Sequence, residues 1–562
     1  MTARHLVIGL DGADVDVIDA IGPLRLPHLA RLRAEGAWSR LRSVPPYATL
    51  PNWATFLTGL DPGQHGVFDF TTRKGKEVAF TAGTVREAPT VAARLDRLGL
   101  PTACLGFPGT WPPERLEHGL FVSGWDSPVA FSADASFVWP VARYGELVAR
   151  FGPMIFDDVD EMLAGSAGWH ATLGDRLVDR IERRVAMGQA LLAERDWELF
   201  AIYFGESDTA SHHLFAHFDA GSPRHPPCVS EREREGLIRV YAALDRAVGR
   251  LLEAASALSS EGGSSVELTV VSDHGSGGSS DVVVHLNRSL SEAGLLTFLP
   301  PRPTAALTGL LRGPLLSLLS PRARDGLFRA LGRALPGWLE SRARFGSIDF
   351  SRTQVFSDEL NYFPALHVNR VGREPEGIVK DHELPALSRK LEAWAGTLRD
   401  PRSDQRIVRE VTPRDELYVG PFVERAPDYV LELNRDRGYA YNVMPASGPG
   451  PCVELLPPRD HLGRKGRSLP GAHKPRGLYI AHGPSVRAQG EIDARMVDAT
   501  ATLLHRMGIE PDPAMPGRVL REALVDALRP TRTLPPAELF AAKGAGDLAL
   551  TEERLRALGY VE

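Results

Sequence analysis

The sequence predicts an α/β fold, a mostly parallel central sheet with helices on both faces, interrupted by an inserted α+β cap. Three observations carry this. Short apolar runs of β type alternate with helical patterns, each run stops abruptly in polar or Gly-rich residues, and the rhythm breaks near Asp281 to resume near Gly471. A chain of 562 residues exceeds one ordinary single core, as a large domain with an insertion would.

In chain order the strand-like runs are His5–Leu10, Thr102–Phe107, Glu198–Phe204, Val266–Val271 and Gly477–Ala481. Near-continuous apolar runs of this length suit strands buried on both faces. The stretches Pro27–Glu35, Pro89–Leu98, Leu177–Arg195 and Glu235–Ala255 read as helices, the first two opening with a proline, which is tolerated at a first helical position. Residues 1–280 and 470–528 are assigned to the main domain and 281–469 to the cap. Residues 529–562 form a C-terminal tail in which Thr551–Gly559 reads as a small capped helix.

Composition narrows the function. Hydrophobic residues at 43% and charged residues at 24% exclude a disordered chain. A net charge of -6 gives no reason to expect a nucleic-acid surface. Cys104, Cys228 and Cys452 lie far apart, against a disulfide framework or a cysteine zinc knuckle. The run Leu6–Leu10 ends in acids rather than in a cleavage site, and Thr304–Leu319 is broken by Arg312 and Pro314, so we expect a cytoplasmic protein with no transmembrane segment. Arginine outnumbers lysine 58 to 7, which codon bias in a GC-rich genome explains. Six arginines between Pro321 and Phe345 read first as a solvated cap face. A basic amphipathic helix making weak contact with a membrane surface is the second reading.

In doubly covered parallel sheets ligands collect beyond the carboxyl ends of the strands. Here Asp11 follows the first run, Asp273 and His274 follow the fourth, and Asp208 follows the third with His212 four residues on. If a helix starts there, Asp208 and His212 share one face. Each feature alone has an ordinary explanation: a helix cap, a turn, an i,i+4 pair. His213 and His217 repeat the spacing as a decoy, and His473 lies in a polar loop. Together they form a mixed Asp/His set without thiolate, suited to catalytic zinc, manganese or iron, and numerous enough for two cations. Thr49 is the available nucleophile, although its bland reading is a cap or turn residue before the helix start Asn52–Leu57.

The string Thr49-Leu-Pro-Asn-Trp-Ala-Thr-Phe-Leu-Thr-Gly-Leu-Asp-Pro-Gly-Gln-His-Gly66 resembles the nucleophile segment of the alkaline phosphatase superfamily, in its type I phosphodiesterase/nucleotide pyrophosphatase branch. That pattern runs T-x-P-N, then T-G, then P-x-x-H-G. Asp11, Asp208-x-x-x-His212, Ser272-Asp-His-Gly275 and the late His473 match the branch's ligands in order. The resemblance spans roughly residues 1–280 and 470–520. It implies an alkaline phosphatase-like fold with two divalent ions, zinc or alternatively manganese. One ion would be held by Asp11, Thr49, Asp273 and His274, the other by Asp208, His212 and His473. It further implies attack of Thr49 on phosphorus, a phosphothreonine intermediate and net retention.

The expected activity is hydrolysis of a small-molecule phosphodiester or a related phosphate or phosphonate ester. Phosphomonoester hydrolysis and phosphoryl transfer come next, and a silent metal-binding protein using its cap as an interaction surface is the non-enzymatic alternative. Trp53 stands where sulfatases place an arginine, and the insertion does not follow the nucleophile as it does in cofactor-independent phosphoglycerate mutases. One departure concerns substrate. The branch's nucleotide pyrophosphatases hold a phosphate oxygen with an asparagine at the position of Phe70, whose ring cannot donate that bond. Phe68, Phe70, Trp111 and Trp125 are candidates for an apolar wall instead.

Overall fold

A computed structural model describes residues 4–537 except 76, 81–84, 126–132, 156–158, 160–163, 165, 263–265, 301–340, 342–343, 447, 464–467 and 526–529. Most of the Arg-rich patch and the Thr551–Gly559 segment therefore lie outside the described residues.

The strands that build and flank the site are β1 (Arg4–Leu10), β2 (Ala37–Arg42), β3 (Thr102–Leu105), β4 (Leu120–Val122), β5 (Val138–Trp139), β6 (Leu199–Phe204), β7 (Val266–Val271), β8 (Gly275–Val284), β9 (Gly471–Lys474), β10 (Arg476–His482) and β11 (Gly490–Glu491). Nine of them form one sheet in the order β11-β2-β10-β7-β1-β6-β3-β4-β5. The centre, β7-β1-β6-β3-β4, is parallel throughout. β6 is buried along its whole length, as its apolar run requires when both faces are covered. The helices Pro27–Glu35 and Gly236–Gly262 pack against this sheet, as does Met496–Arg506, which also meets the helix Thr49–Thr58. Among the described residues no helix is long and apolar enough to cross a membrane.

The sheet is mixed rather than uniform, because β10 runs antiparallel to both β7 and β2. An apolar run looks the same in either direction, so pattern alone does not orient it. β2, with Trp38, Ser39 and Arg40 in alternation, also belongs to the sheet, although it lacks the apolar run of its neighbours. The helix expected from Pro89 begins at Val91, because the Thr90 hydroxyl caps it by accepting from the Ala93 N–H.

Beyond Ser279 the chain enters a second body. β8 pairs with Tyr439–Val443 and Val453–Leu455, and a four-stranded antiparallel sheet joins Val355–Phe356, Ala365–Val368, Tyr429–Leu433 and Val408–Pro413. This body has its own core, centred on Phe356, Leu366, Leu391, Trp394 and Ile407. The hairpin Thr71–Lys74/Glu77–Phe80 leans into it: Val78 joins that core, and Arg73 pairs with Glu374 through two contacts of 2.9 Å.

Candidate metal centre

Register brings the functional residues to one edge of the sheet. Leu10 lies beside Phe204 and Gly9 beside Val271, so the residues that follow β1, β6 and β7 emerge together. These are Asp11, the helix Glu206–Phe218 carrying Asp208 and His212, and Ser272-Asp273-His274. Because β10 is antiparallel, it is its beginning, not its end, that reaches this edge, and β9 with His473 lies just before it. β2 ends at the same edge and leads to Thr49.

Thr49 is the first residue of the helix Thr49–Thr58, with Ala48 at the cap position. The loop before it is held from both sides. Ser43 donates its N–H to the Pro475 carbonyl (3.0 Å) and its hydroxyl to the Asp273 carbonyl (2.7 Å). The fully buried Asn52 side chain donates to the carbonyls of Val44, Pro46 and Ala48 and accepts from the Val44 N–H. The motif asparagine thus fixes the approach of the helix that begins at Thr49. Thr49 Oγ1 lies 3.4 Å from His274 Nε2.

Two donor groups converge here: Asp11, Asp273 and His274 in one, Asp208, His274 and His473 in the other. His274 Nε2 is 3.2 Å from Asp273 Oδ2 and 3.5 Å from Asp11 Oδ1. Asp208 Oδ1 is 3.4 Å from His212 Nε2 and 3.6 Å from His473 Nε2, and those two nitrogens face each other at 3.0 Å. All three imidazoles use Nδ1 on a backbone carbonyl: His212 on Gly471 (3.1 Å), His274 on Gly275 (3.1 Å), His473 on Tyr47 (2.8 Å). Each ring thereby turns Nε2 inward, the nitrogen that ligates a metal when the imidazole is neutral.

The carboxylates follow the same logic. Asp11 Oδ2 accepts from Trp53 Nε1 (2.8 Å) and the Tyr203 hydroxyl (2.7 Å), and Asp273 Oδ1 accepts from the Gly12 N–H (3.1 Å). Their other oxygens, Asp11 Oδ1 and Asp273 Oδ2, are buried without a hydrogen-bond partner, as is Asp208 Oδ1. Among the described residues, no lysine or arginine forms an ion pair with these three. Buried, unpartnered carboxylate oxygens facing one another are costly unless a cation joins them. The residues present therefore fit a pair of divalent ions. Gly12 enables the approach: its φ is +63°, and a Cβ there would meet Asp208 Oδ1 at 3.0 Å.

The electrostatics show the same strain. Burial, reinforced by Asp208, pushes the Asp11 carboxyl well above the usual range, and burial with Asp11 as neighbour does the same to Asp273. Burial would also raise Asp208, but His212, His473 and His274 around it outweigh that and hold it low. Burial lowers His274 and His212, keeping them neutral.

The remaining nominated residues divide. His213 and His217 are buried against Trp169 and His170, in ring contacts of 4.9 Å each, outside both donor groups. His65, from P-x-x-H-G, is also no part of them; it lies within hydrogen-bonding distance of the Thr55 hydroxyl (3.0 Å) and accepts from the Val67 N–H (3.2 Å). Of the four aromatics expected in an apolar wall, only Phe70 stands near the site. It meets Tyr362 edge-on at 5.5 Å, and Tyr362 lies 6.3 Å from His473. Phe68 packs on Tyr418, Trp111 on Phe137, and Trp125 beneath Arg184, so those three are packing residues. Arg344 of the Arg-rich patch is buried between Thr71 and Asp358, which removes it from any lipid-facing surface. Trp53, Tyr203 and Asn52 escaped sequence reading as supports; only their position beside motif residues offered a signal.

Fold and donor set together define a metal-dependent phosphoesterase of the alkaline phosphatase superfamily. Within it, the family described as type I phosphodiesterase / nucleotide pyrophosphatase matches residues 5–435, and the chain belongs to this family. Solved structures that the chain matches include murine ectonucleotide pyrophosphatase / phosphodiesterase 5, at 14% identity and TM-score 0.46, covering 93% of this chain and 100% of that one. An inactive variant of the murine protein in complex with AMP matches with the same values. The human counterpart matches at 14% identity and TM-score 0.45, covering 92% of this chain and 97% of its own. No curated protein matches.

Proposed function

We propose that the chain is a two-metal hydrolase of phosphodiesters or related phosphate or phosphonate esters, with Thr49 as covalent nucleophile. The observation that carries this is the convergence of Thr49 Oγ1 and three inward Nε2 atoms with three unpartnered carboxylate oxygens. Asp11, Thr49, Asp273 and His274 would hold one ion, and Asp208, His212 and His473 the other. Zinc suits this nitrogen and oxygen donor set, with manganese the alternative. Bound ions would supply an activated hydroxyl and a clamp on the attacking and departing oxygens.

Thr49 Oγ1 forms the new bond to phosphorus while the ester oxygen leaves, giving a phosphothreonine, and water then displaces Thr49 with net retention. The N-terminal end of the helix that begins at Thr49 would favour phosphate oxygens beside it. Phe70 and Tyr362 offer an apolar surface where nucleotide pyrophosphatases have an amide, which favours an ester with an apolar or aromatic portion over a nucleotide.

The test is a matrix of aryl phosphate monoesters, diesters, phosphonates and sulfates across zinc, manganese, magnesium and calcium. Diesters or phosphonates should lead, with about two ions per chain by elemental analysis. Thr49→Ala should lose at least about 10³-fold in kcat/KM while Thr49→Ser keeps a measurable fraction. Equal rates in the two variants reject Thr49 as nucleophile, and full activity in metal-free protein rejects the reading altogether.

A further inference from the structure

His473 reaches the centre on a ladder built mostly of small side chains. β9 pairs with β8 as Gly275 to Lys474, Ser276 to His473, Gly277 to Ala472 and Gly278 to Gly471. Seven of these eight positions are Gly, Ser, Ala or His; the eighth, Lys474, pairs with Asp14 and Asp16 (3.2 and 2.9 Å). Gly-rich pairings of this kind slip easily, and a slip of one residue turns every side chain to the opposite face. Here it would remove His473 from Asp208 and His212. Lys474 holds the end of the ladder at Gly275, and a second hold lies at its other end.

Arg224, in the loop after the helix Glu206–Phe218, is fully buried at the point where the two strands pass into the insertion. Its Nε donates to the Ser280 carbonyl (2.7 Å), where β8 departs. Its Nη1 donates to the Ser468 and Leu469 carbonyls (3.2 and 3.1 Å), where the chain returns. Its Nη2 donates to Ser468 Oγ (2.5 Å), which donates to Asn442 Oδ1 (2.7 Å), and Asn442 Nδ2 closes the ring on the Ser280 carbonyl (2.5 Å). The last backbone bond of the ladder, Ser279 N–H to the Pro470 carbonyl (2.9 Å), adjoins this clasp. Among the described residues Arg224 has no ion-pair partner. A guanidinium desolvated without a carboxylate is a poor device for stability alone. Its planar fork is well suited to gripping several fixed carbonyls at once.

We propose that Arg224 is a positioning residue: it locks β9 in register on β8 and so delivers His473 to Asp208 and His212. This rests on the reading that those three residues hold an ion. The cap ends are thereby tied to the metal centre, four residues of chain away from His473.

The experiment is zinc titration calorimetry on the full, metal-stripped chain, with thermal unfolding of each variant followed in parallel. Wild type should take up two zinc ions. R224A should keep one at wild-type affinity and bind the second about tenfold or more weakly, with millimolar methylguanidinium restoring part of the loss. R224K, whose ammonium lacks the fork, should fall between. Two zinc ions at wild-type affinity in folded R224A overturn the proposal. So does equal weakening of both ions with no rescue, which marks a general structural role. If R224A does not fold, R224K and S468A decide: selective weakening of the second ion supports the clasp, and wild-type affinity in both overturns it. A wild-type chain that takes up no zinc overturns the metal centre first, and the clasp with it.

Discussion

Asp11, Asp273 and His274 come from the ends of two adjacent strands, and their side chains are at most 2% exposed. Asp208 and His212 come from the first turns of a helix and His473 from the returning chain, with side chains 21%, 24% and 8% exposed. The first group is a buried socket, held by Trp53 from the helix that begins at Thr49, Tyr203 from β6 and Gly12 from the turn after β1. The second is a more open face; the members of both groups come from segments more than two hundred residues apart. Thr49 lies against His274, whose ring nitrogen also comes within ligand range of Asp208 and His473. On the proposed mechanism the contrast separates two tasks: fixing the nucleophile needs a rigid, dry seat, whereas a departing group and incoming water need access.

Tyr203→Phe tests the socket most sharply. Removing one hydroxyl that points Asp11 should weaken the first ion by roughly 10- to 100-fold and leave the second unchanged, measured by competition with a chromophoric chelator. Equal loss at both ions would mean that the two halves are one cooperative unit, and the comparison would fail.

A middling effect is expected from the scaffold beneath the socket. Burial and the nearby Arg86 charge bring the His65 imidazole from 6.5 down to about 3. The unfolded chain therefore binds an extra proton between those values, and stability must fall as pH drops from 6.5 toward about 3. Denaturant midpoints of metal-free protein should show this slope, and His65→Gln should flatten it; an unchanged slope assigns the acid sensitivity to other groups.

The smallest effect concerns the open face. Phe70→Asn should raise kcat/KM toward nucleotide diesters by about tenfold at most, since one regained hydrogen bond is offset by lost packing on Leu50, Val67 and Tyr362. No change would show that another group already holds that phosphate oxygen.

Much of the centre was legible because its chemistry is local. Asp11 and Asp273-His274 each follow an apolar run directly, and Asp208 and His212 share a helix face by spacing. The supports were not legible. Tyr203 reads as one more apolar residue of a buried strand and Trp53 as one more of a helix, yet both aim a polar atom at Asp11 from different elements. β8 hides in a Gly/Ser run that forms a strand only because β9 and the cap pair with it. Arg224 sits in a polar loop and looks exposed by composition.

By itself the sequence determined the alternating strands and helices, the family of chemistry and the candidate donors, since burial periodicity and ligand type are written residue by residue. Only the tertiary structure decided that β10 runs backwards, that Phe70 faces Tyr362 while the other aromatics pack elsewhere, and that His473 meets Asp208 and His212. Those outcomes depend on pairings between distant segments, where direction and register follow from hydrogen bonds that no local pattern records.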